Sequence, residues 1–256
     1  MRDAAIKSVL VTGAGDRLGL AIAQSLAHQG YNVVLHAHSK IALAQSHAAE
    51  LVQQGARAAA ISGNLLDRED VANLIARAAD VMGLPIDGLI NNASIFEGDT
   101  AQDFTNESWD RHFDMHVRAP SELSRNMAAL LPHGQLGSVI NIIDQRVFKL
   151  TPQFFTYTLS KVALAAATKT LAQSLAPFVR VNGIAPGPVA RNIRQSEADF
   201  QKQVTASLLE IGSPTPEIVD AVLWLLEART VTGQVIAVDG GQSLIWRTPD
   251  VDGIVE

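Results

Sequence analysis

Seven short runs rich in Val, Ile and Ala, at 8–11, 32–35, 58–61, 88–90, 138–143, 179–184 and 235–238, recur along the chain, and a helical stretch separates each from the next. Most of these runs are apolar at consecutive positions, which marks strands buried on both faces. The stretches between them, 18–29, 41–54, 68–81, 105–131, 154–175 and 216–226, have the length of helices. Strict alternation leaves few architectures, because a helix that returns the chain to the same end of a sheet makes successive strands parallel. The expected fold is α/β, a doubly wound sheet of about seven parallel strands with helices on both faces. Nothing in the sequence reads as an internal repeat, a low-complexity tract or a linker, so a single domain over 1–256 is expected.

Composition excludes several classes of function. Of 256 residues, 47% are hydrophobic and 18% charged, enough apolar material for a large core. The formal charge of −6 comes without clustered Lys and Arg, so nucleic acid is not an expected partner. Cysteine is absent, which removes disulfides, thiolate chemistry and Cys-ligated zinc, and no His residues stand in an HExxH-like pattern. No metal is expected. The first ten residues lack the apolar run of a signal peptide, and no segment offers roughly 18 uninterrupted apolar residues, so a cytoplasmic protein with no membrane partner is expected. Within 154–175, the run Val162-Ala163-Leu164-Ala165-Ala166-Ala167 is apolar around the whole helix. Such a helix is covered on two sides, by the sheet and either by more of the same chain or by a second copy; a homo-oligomer, with a tetramer favoured, is expected.

After the first strand comes Thr12-Gly13-Ala14-Gly15-Asp16-Arg17-Leu18-Gly19. Gly13, Gly15 and Gly19 stand where a strand turns into a helix start, and exposed helix N–H groups favour an anion there. In the first βαβ unit of a parallel sheet this reads as a dinucleotide diphosphate site, formed by Gly13, Gly15, Arg17, Leu18 and Gly19. The end of the second strand decides the cofactor. An acidic residue there would accept hydrogen bonds from adenosine ribose, but the segment is His36-Ala37-His38-Ser39-Lys40. With Arg17 nearby, His36, His38, Ser39 and Lys40 are expected around a ribose 2′-phosphate, which selects NADPH. By position, Asn64 and Leu65 are expected near adenine, and Asn92 and Ala93 near the ribose and nicotinamide. The irregular stretch 185–195, after the sixth strand, reads either as a substrate lid or as a plain surface connection.

Tyr157 and Lys161 are one helical turn apart and share a face. An ammonium beside a phenol is expected to lower the phenol from its ordinary value of about 10, making it a usable acid or base. Taken in order, the Thr12-Gly13 loop, Asn91-Asn92-Ala93, Tyr157 with Lys161, Pro186-Gly187 and Val238-Asp239-Gly240-Gly241 resemble the short-chain dehydrogenase/reductase family over nearly the whole chain. The resemblance implies a Rossmann-type fold and NADP(H)-linked hydride transfer. It implies a Ser–Tyr–Lys set assisted by an Asn, and a cofactor contact from Pro186, Gly187 and Val189.

Two positions depart from that pattern. Asp144 stands where the family has its serine, and His116 where it has its assisting Asn. Asp144, Arg17, His36-Ala37-His38 and Asn91-Asn92-Ala93-Ser94-Ile95-Phe96 resemble the pteridine reductase branch of the family. That resemblance implies that Phe96 stacks on a pterin while Ser94 and Tyr157 contact its polar edge. A serine hydroxyl suits the alkoxide of a ketone reductase, whereas a pterin C=N bond needs a proton. Asp144 is expected either to store that proton for Tyr157 or to sit ionised against Lys161 or Arg146 and order the site. His116 is either a proton relay or a hydrogen-bonded packing residue. The expected activity on a small-molecule substrate is NADPH-dependent reduction of an oxidised pterin, with Asp144, Tyr157, Lys161 and His116 as the catalytic set. The alternatives are a carbonyl reductase or alcohol dehydrogenase, or an NADP(H)-binding regulatory protein whose catalysis has decayed.

Overall fold

The computed structural model describes residues 7–189, 196–248 and 252–253. Strands Ser8–Val11 (β1), Asn32–Ala37 (β2), Ala58–Ser62 (β3), Gly88–Asn91 (β4), Gly137–Ile142 (β5), Val179–Pro186 (β6) and Val235–Val238 (β7) form one sheet in the order β3-β2-β1-β4-β5-β6-β7. Every pairing is parallel. Helices Arg17–His28 (α1), Ile41–Gln53 (α2) and Thr215–Glu227 (α8) cover one face; Arg68–Met82 (α3), Ala119–Leu130 (α5) and Phe155–Leu175 (α6) cover the other. Alternation along a strand sorts the core: Val9 and Val11 of β1 pack with Ile22 and Leu26, whereas Leu10 packs on the opposite side with Leu74 and Leu123. Among the described residues no helix is long and apolar enough to cross a membrane.

Three expectations need correction. The stretch 105–131 is not one helix but Asn106–Phe113 (α4), a π-helical turn Asp114–Arg118, and α5. Pro120 explains the break, since it has no N–H for the carbonyl of His116 four residues earlier, and a widened turn absorbs the defect. A helix over Glu197–Thr205 (α7) escaped the periodicity reading because none of its residues is buried; its signal was the Ser196 cap, which accepts the N–H of Asp199. Finally, the expected lid begins too early: Ala185 and Pro186 are the end of β6, and 190–195 lie outside the described residues.

A buried polar chain joins the two central strands to α6. Asn91 donates to Asn141 Oδ1 at 2.8 Å, Asn141 donates to Thr168 Oγ1 at 3.0 Å, and Thr168 donates to the Leu164 carbonyl at 2.8 Å. Asn141 and Thr168 are fully buried, so these bonds have no water to replace them. Asn141→Ala is expected to lower stability by about 2–4 kcal/mol in urea unfolding, because the amide of Asn91 loses its acceptor. A loss within a few tenths of a kcal/mol would mean that the chain does not tie α6 to the sheet.

Candidate functional site

Between β1 and β4 the crossovers leave to opposite faces, and a crevice opens beyond their carboxyl ends. Thr12 and Asn92 brace it. Thr12 Oγ1 donates to the Ile90 carbonyl at 3.2 Å and accepts the N–H groups of Asn92 and Ala93, both at 3.0 Å. The Asn92 amide donates to the carbonyls of Thr12 (2.9 Å) and Gly13 (3.2 Å). Gly13, at φ +66, meets Ala93 so closely that a Cβ would lie 2.9 Å from its Cα, and any side chain at Gly19 would strike the Gly13 carbonyl. Arg17 is exposed at φ +50, a left-handed backbone that costs a non-glycine residue roughly 1–2 kcal/mol. An arginine held there at the mouth of α1 points to an anion as its partner. Buried Gly15 backs onto Lys40, whose ammonium pairs with Asp16, and Leu18 packs against the core.

At the end of β2, His38 and Ser39 are exposed and Lys40 reaches back over the glycine loop. His36 does not join them. It is 2% exposed; Nδ1 accepts the Gly13 N–H (3.4 Å) and Nε2 donates to the Gly63 carbonyl (3.0 Å), so it shapes the loop and leaves no donor for a phosphate. Burial lowers its pKa to about 4. The Leu65 side chain lies in the core at 4% exposure, which leaves only its backbone to meet an adenine, while Asn64 stays partly exposed beside it. Past β6, the Gly187 N–H donates to Ser213 Oγ at 2.7 Å; Pro186 is buried and Val189 packs on the core.

Tyr157, 5% exposed, donates to Asp144 Oδ2 at 2.8 Å, and Asp144 Oδ1 accepts the Arg146 N–H at 2.8 Å. Burial, the charge of Asp144 and that hydrogen bond together hold the phenol well above its ordinary pKa, against an opposing pull from Arg146. This reverses the expectation that Lys161 would lower it. Lys161 lies 5.8 Å from the Tyr157 ring centroid, but its ammonium donates to the Ile142 carbonyl at 2.8 Å, and burial lowers its own pKa to about 8 against the pull of Asp144. Burial and Asp144 therefore keep the Tyr157 phenol protonated. His116, 1% exposed, bonds Ser160 Oγ through Nδ1 (2.8 Å) and Ser94 Oγ through Nε2 (2.9 Å). Its ring bonds reach neither the Tyr157 hydroxyl nor Lys161, so the geometry favours a hydrogen-bonded role behind the site over a proton relay.

Phe96 stacks on Phe154 (4.2 Å between centroids, 14° between planes) and meets the edge of Tyr157 at 4.8 Å. The Arg146 guanidinium lies 5.0 Å from the Phe154 centroid and donates to Thr151 Oγ1 at 2.9 Å. Asp99 fastens the Phe96 loop to α6 by accepting the Thr156 N–H at 3.1 Å.

A family model described as Enoyl-(Acyl carrier protein) reductase matches residues 13–243. Human "Dehydrogenase/reductase SDR family member 4" is 32% identical over 245 residues, covering 92% of this chain and 87% of that protein. The chain belongs to the short-chain dehydrogenase/reductase (SDR) family. Dihydromonapterin reductase of Klebsiella pneumoniae is 31% identical over 243 residues, covering 93% of this SDR and 97% of its own length. The crystal structure of FolM alternative dihydrofolate reductase 1 from Brucella canis, complexed with NADP, superposes with a TM-score of 0.94 at 44% identity, over 98% of this chain and 99% of that one.

Within this SDR the structure gathers Tyr157, Lys161, Asp144, Ser94 and Phe96 at one end of β4 and β5. Sequence reading passed over Phe154, Ser160 and Asp99. Phe154 was detectable as an aromatic one helical turn before Tyr157; the other two carry no sequence signal, because a Ser or Asp acquires such a role only from what folds against it. The buried histidine gives a sharp test. An unfolded His36 has a pKa near 6.5 and the folded one about 4, so the unfolded state binds more protons between those values. Stability is therefore full above about pH 6.5 and is lost as pH falls towards about 4, by on the order of 3 kcal/mol. Urea midpoints for wild type and His36→Gln between pH 7 and 4.5 are expected to converge as pH falls; parallel curves would mean that His36 is not a buried neutral imidazole.

Proposed function

We propose that this SDR is an NADPH-dependent pterin reductase that reduces a C=N bond of a dihydropterin or dihydrofolate. The observation that carries the reading is the Tyr157–Asp144 hydrogen bond, a carboxyl group standing where the family resemblance implies a serine. The likeness to dihydromonapterin reductase and to the NADP-complexed dihydrofolate reductase supports the same substrate class.

The braced crevice suits the cofactor. Gly13, Gly15, Leu18 and Gly19 would hold its diphosphate, and Asn92, Ala93, Pro186, Gly187 and Val189 its nicotinamide side. Arg17, His38, Ser39 and Lys40 would hold the 2′-phosphate, with Lys40 exchanging Asp16 for a stronger anion. Asn64 would border the adenine, and Lys161 would hold the nicotinamide ribose. NADPH supplies the hydride to a pterin ring carbon. Phe96, backed by Phe154, offers an aromatic face that aligns the pterin ring for that transfer. Tyr157, which burial and Asp144 keep protonated, gives its proton to the adjacent ring nitrogen. Asp144, partly exposed to the cleft, then returns a proton from solvent to the phenol through the same 2.8 Å contact. The balance is one hydride and one proton added across C=N.

The outer side of α6, where Ala166 is exposed and Val162, Ala163 and Ala167 are half-covered, suits contact with a second copy, and a homotetramer is the proposed assembly. NADPH oxidation is to be followed with dihydromonapterin, dihydrobiopterin and dihydrofolate beside a panel of ketones. Pterin turnover is expected, with kcat/KM falling about 10²–10⁴-fold in Tyr157→Phe and about 10²-fold in Asp144→Ser. Reduction of ketones alone would replace this reading with a carbonyl reductase, and no NADPH turnover on any of them would favour the decayed regulatory protein.

A further inference from the structure

The proton on His116 can be placed from its neighbours. The Ile95 N–H points at Nε2 from 3.3 Å, and an N–H has nothing to donate to on a protonated nitrogen, so Nε2 is bare. Nδ1 lies 2.8 Å from Ser160 Oγ, whose own hydrogen goes to the Tyr157 carbonyl at 2.7 Å. Ser160 is therefore the acceptor, and Nδ1 carries the proton. Burial, followed by the nearby charges of Lys161 and His112, holds the imidazole well below its ordinary pKa and hence neutral.

This arrangement determines what Ser94 offers. Its Oγ is 2.9 Å from the bare Nε2 and 3.2 Å from the Ile95 carbonyl, both acceptors. Nε2 is the nearer of the two and takes the hydroxyl hydrogen, which therefore stays within the protein. Ser94 is exposed on the loop that carries Phe96, so only its lone pairs face the cleft. We propose that His116 is a positioning residue that makes Ser94 an obligate hydrogen-bond acceptor for an N–H group of the substrate. The proposal rests on the pterin reading: a pteridine with an amino group and a ring N–H on one edge satisfies Ser94, and a ring with a carbonyl there meets lone pair against lone pair. A site built for one polarity rejects the opposite one strongly. The π-helical turn before Pro120 carries His116, so the backbone defect and the polarity of Ser94 share one cause.

The test pairs 7,8-dihydropterin with the matching dihydrolumazine, in which the 2-amino group is a carbonyl, and reads the ratio of their kcat/KM values. Wild type is expected to favour the amino compound. His116→Leu, which frees the Ser94 hydroxyl to turn and donate, is expected to lower that preference about tenfold. Ser94→Ala is expected to remove the same part of it, and the double variant to lose no more than Ser94→Ala. Equal slowing of both substrates by His116→Leu, or an undiminished effect in the Ser94→Ala background, would overturn the proposal. A second measurement needs no altered fold at the site: nitrogen NMR of histidine-labelled wild type, with the His116 signal assigned by its loss in His116→Gln. A neutral ring protonated on Nδ1 supports the proposal; a cationic ring or an Nε2–H ring overturns it. If wild type reduces neither pteridine, the pterin reading itself has failed, and the NMR result still decides the state of His116.

Discussion

Where two crossovers part at the centre of a parallel sheet, the strand ends on either side lose the helix that would have covered them, and something else must hold their geometry. Here it is Thr12 with Asn92. One hydroxyl and one carboxamide bind five backbone groups across the gap between β1 and β4, and the glycines nearby are what allow the backbones to come so close. Directly below, Asn91, Asn141 and Thr168 carry the connection to α6, the helix that bears Tyr157 and Lys161. The glycine loop and Tyr157 are thus parts of one braced unit. Of the three described non-glycine residues at positive φ, Arg17 and Phe154 border this unit, which fits strain being held where function needs it.

The chemistry follows from one charge placement. A serine beside Tyr157 would leave the phenol subject to burial and to Lys161; a carboxyl group there adds a charge that works against ionising the phenol and a partner able to replace its proton. Lys161, with its pKa lowered by burial to about 8 and its ammonium tied to the Ile142 carbonyl, is oriented by the sheet rather than by the phenol. In the proposed pterin reduction, Tyr157 gives this proton to the substrate and Asp144 replaces it.

The order of elements was readable in the chain because buried parallel strands are short continuous apolar runs, and all seven were placed to within two residues at either end. The break in 105–131 was less visible: Pro120 announced it, but a proline can also merely kink a helix, and only the fold shows the widened turn at Asp114–Arg118. In the site, helical spacing puts Tyr157 and Lys161 on one face, their place after the fifth strand gave that pattern its meaning, and Asp144 was marked by the family resemblance as the residue standing where a serine is implied. His36 misled because a histidine at the end of a strand looks like an exposed donor, and only the fold brings Gly13 and Gly63 to its two nitrogens. The direction of the Tyr157 shift was likewise beyond sequence, since it turns on whether burial and Asp144 outweigh Lys161.

The most direct test of this account is a crystal structure of the ternary complex with NADP+ and a non-reducible pterin analogue. The account predicts the pteridine ring stacked on Phe96, its edge N–H donating to Ser94, and Tyr157 between a ring nitrogen and Asp144. A ring bound away from Phe96, or a Tyr157 hydroxyl that has left Asp144 to face a carbonyl oxygen, would contradict it.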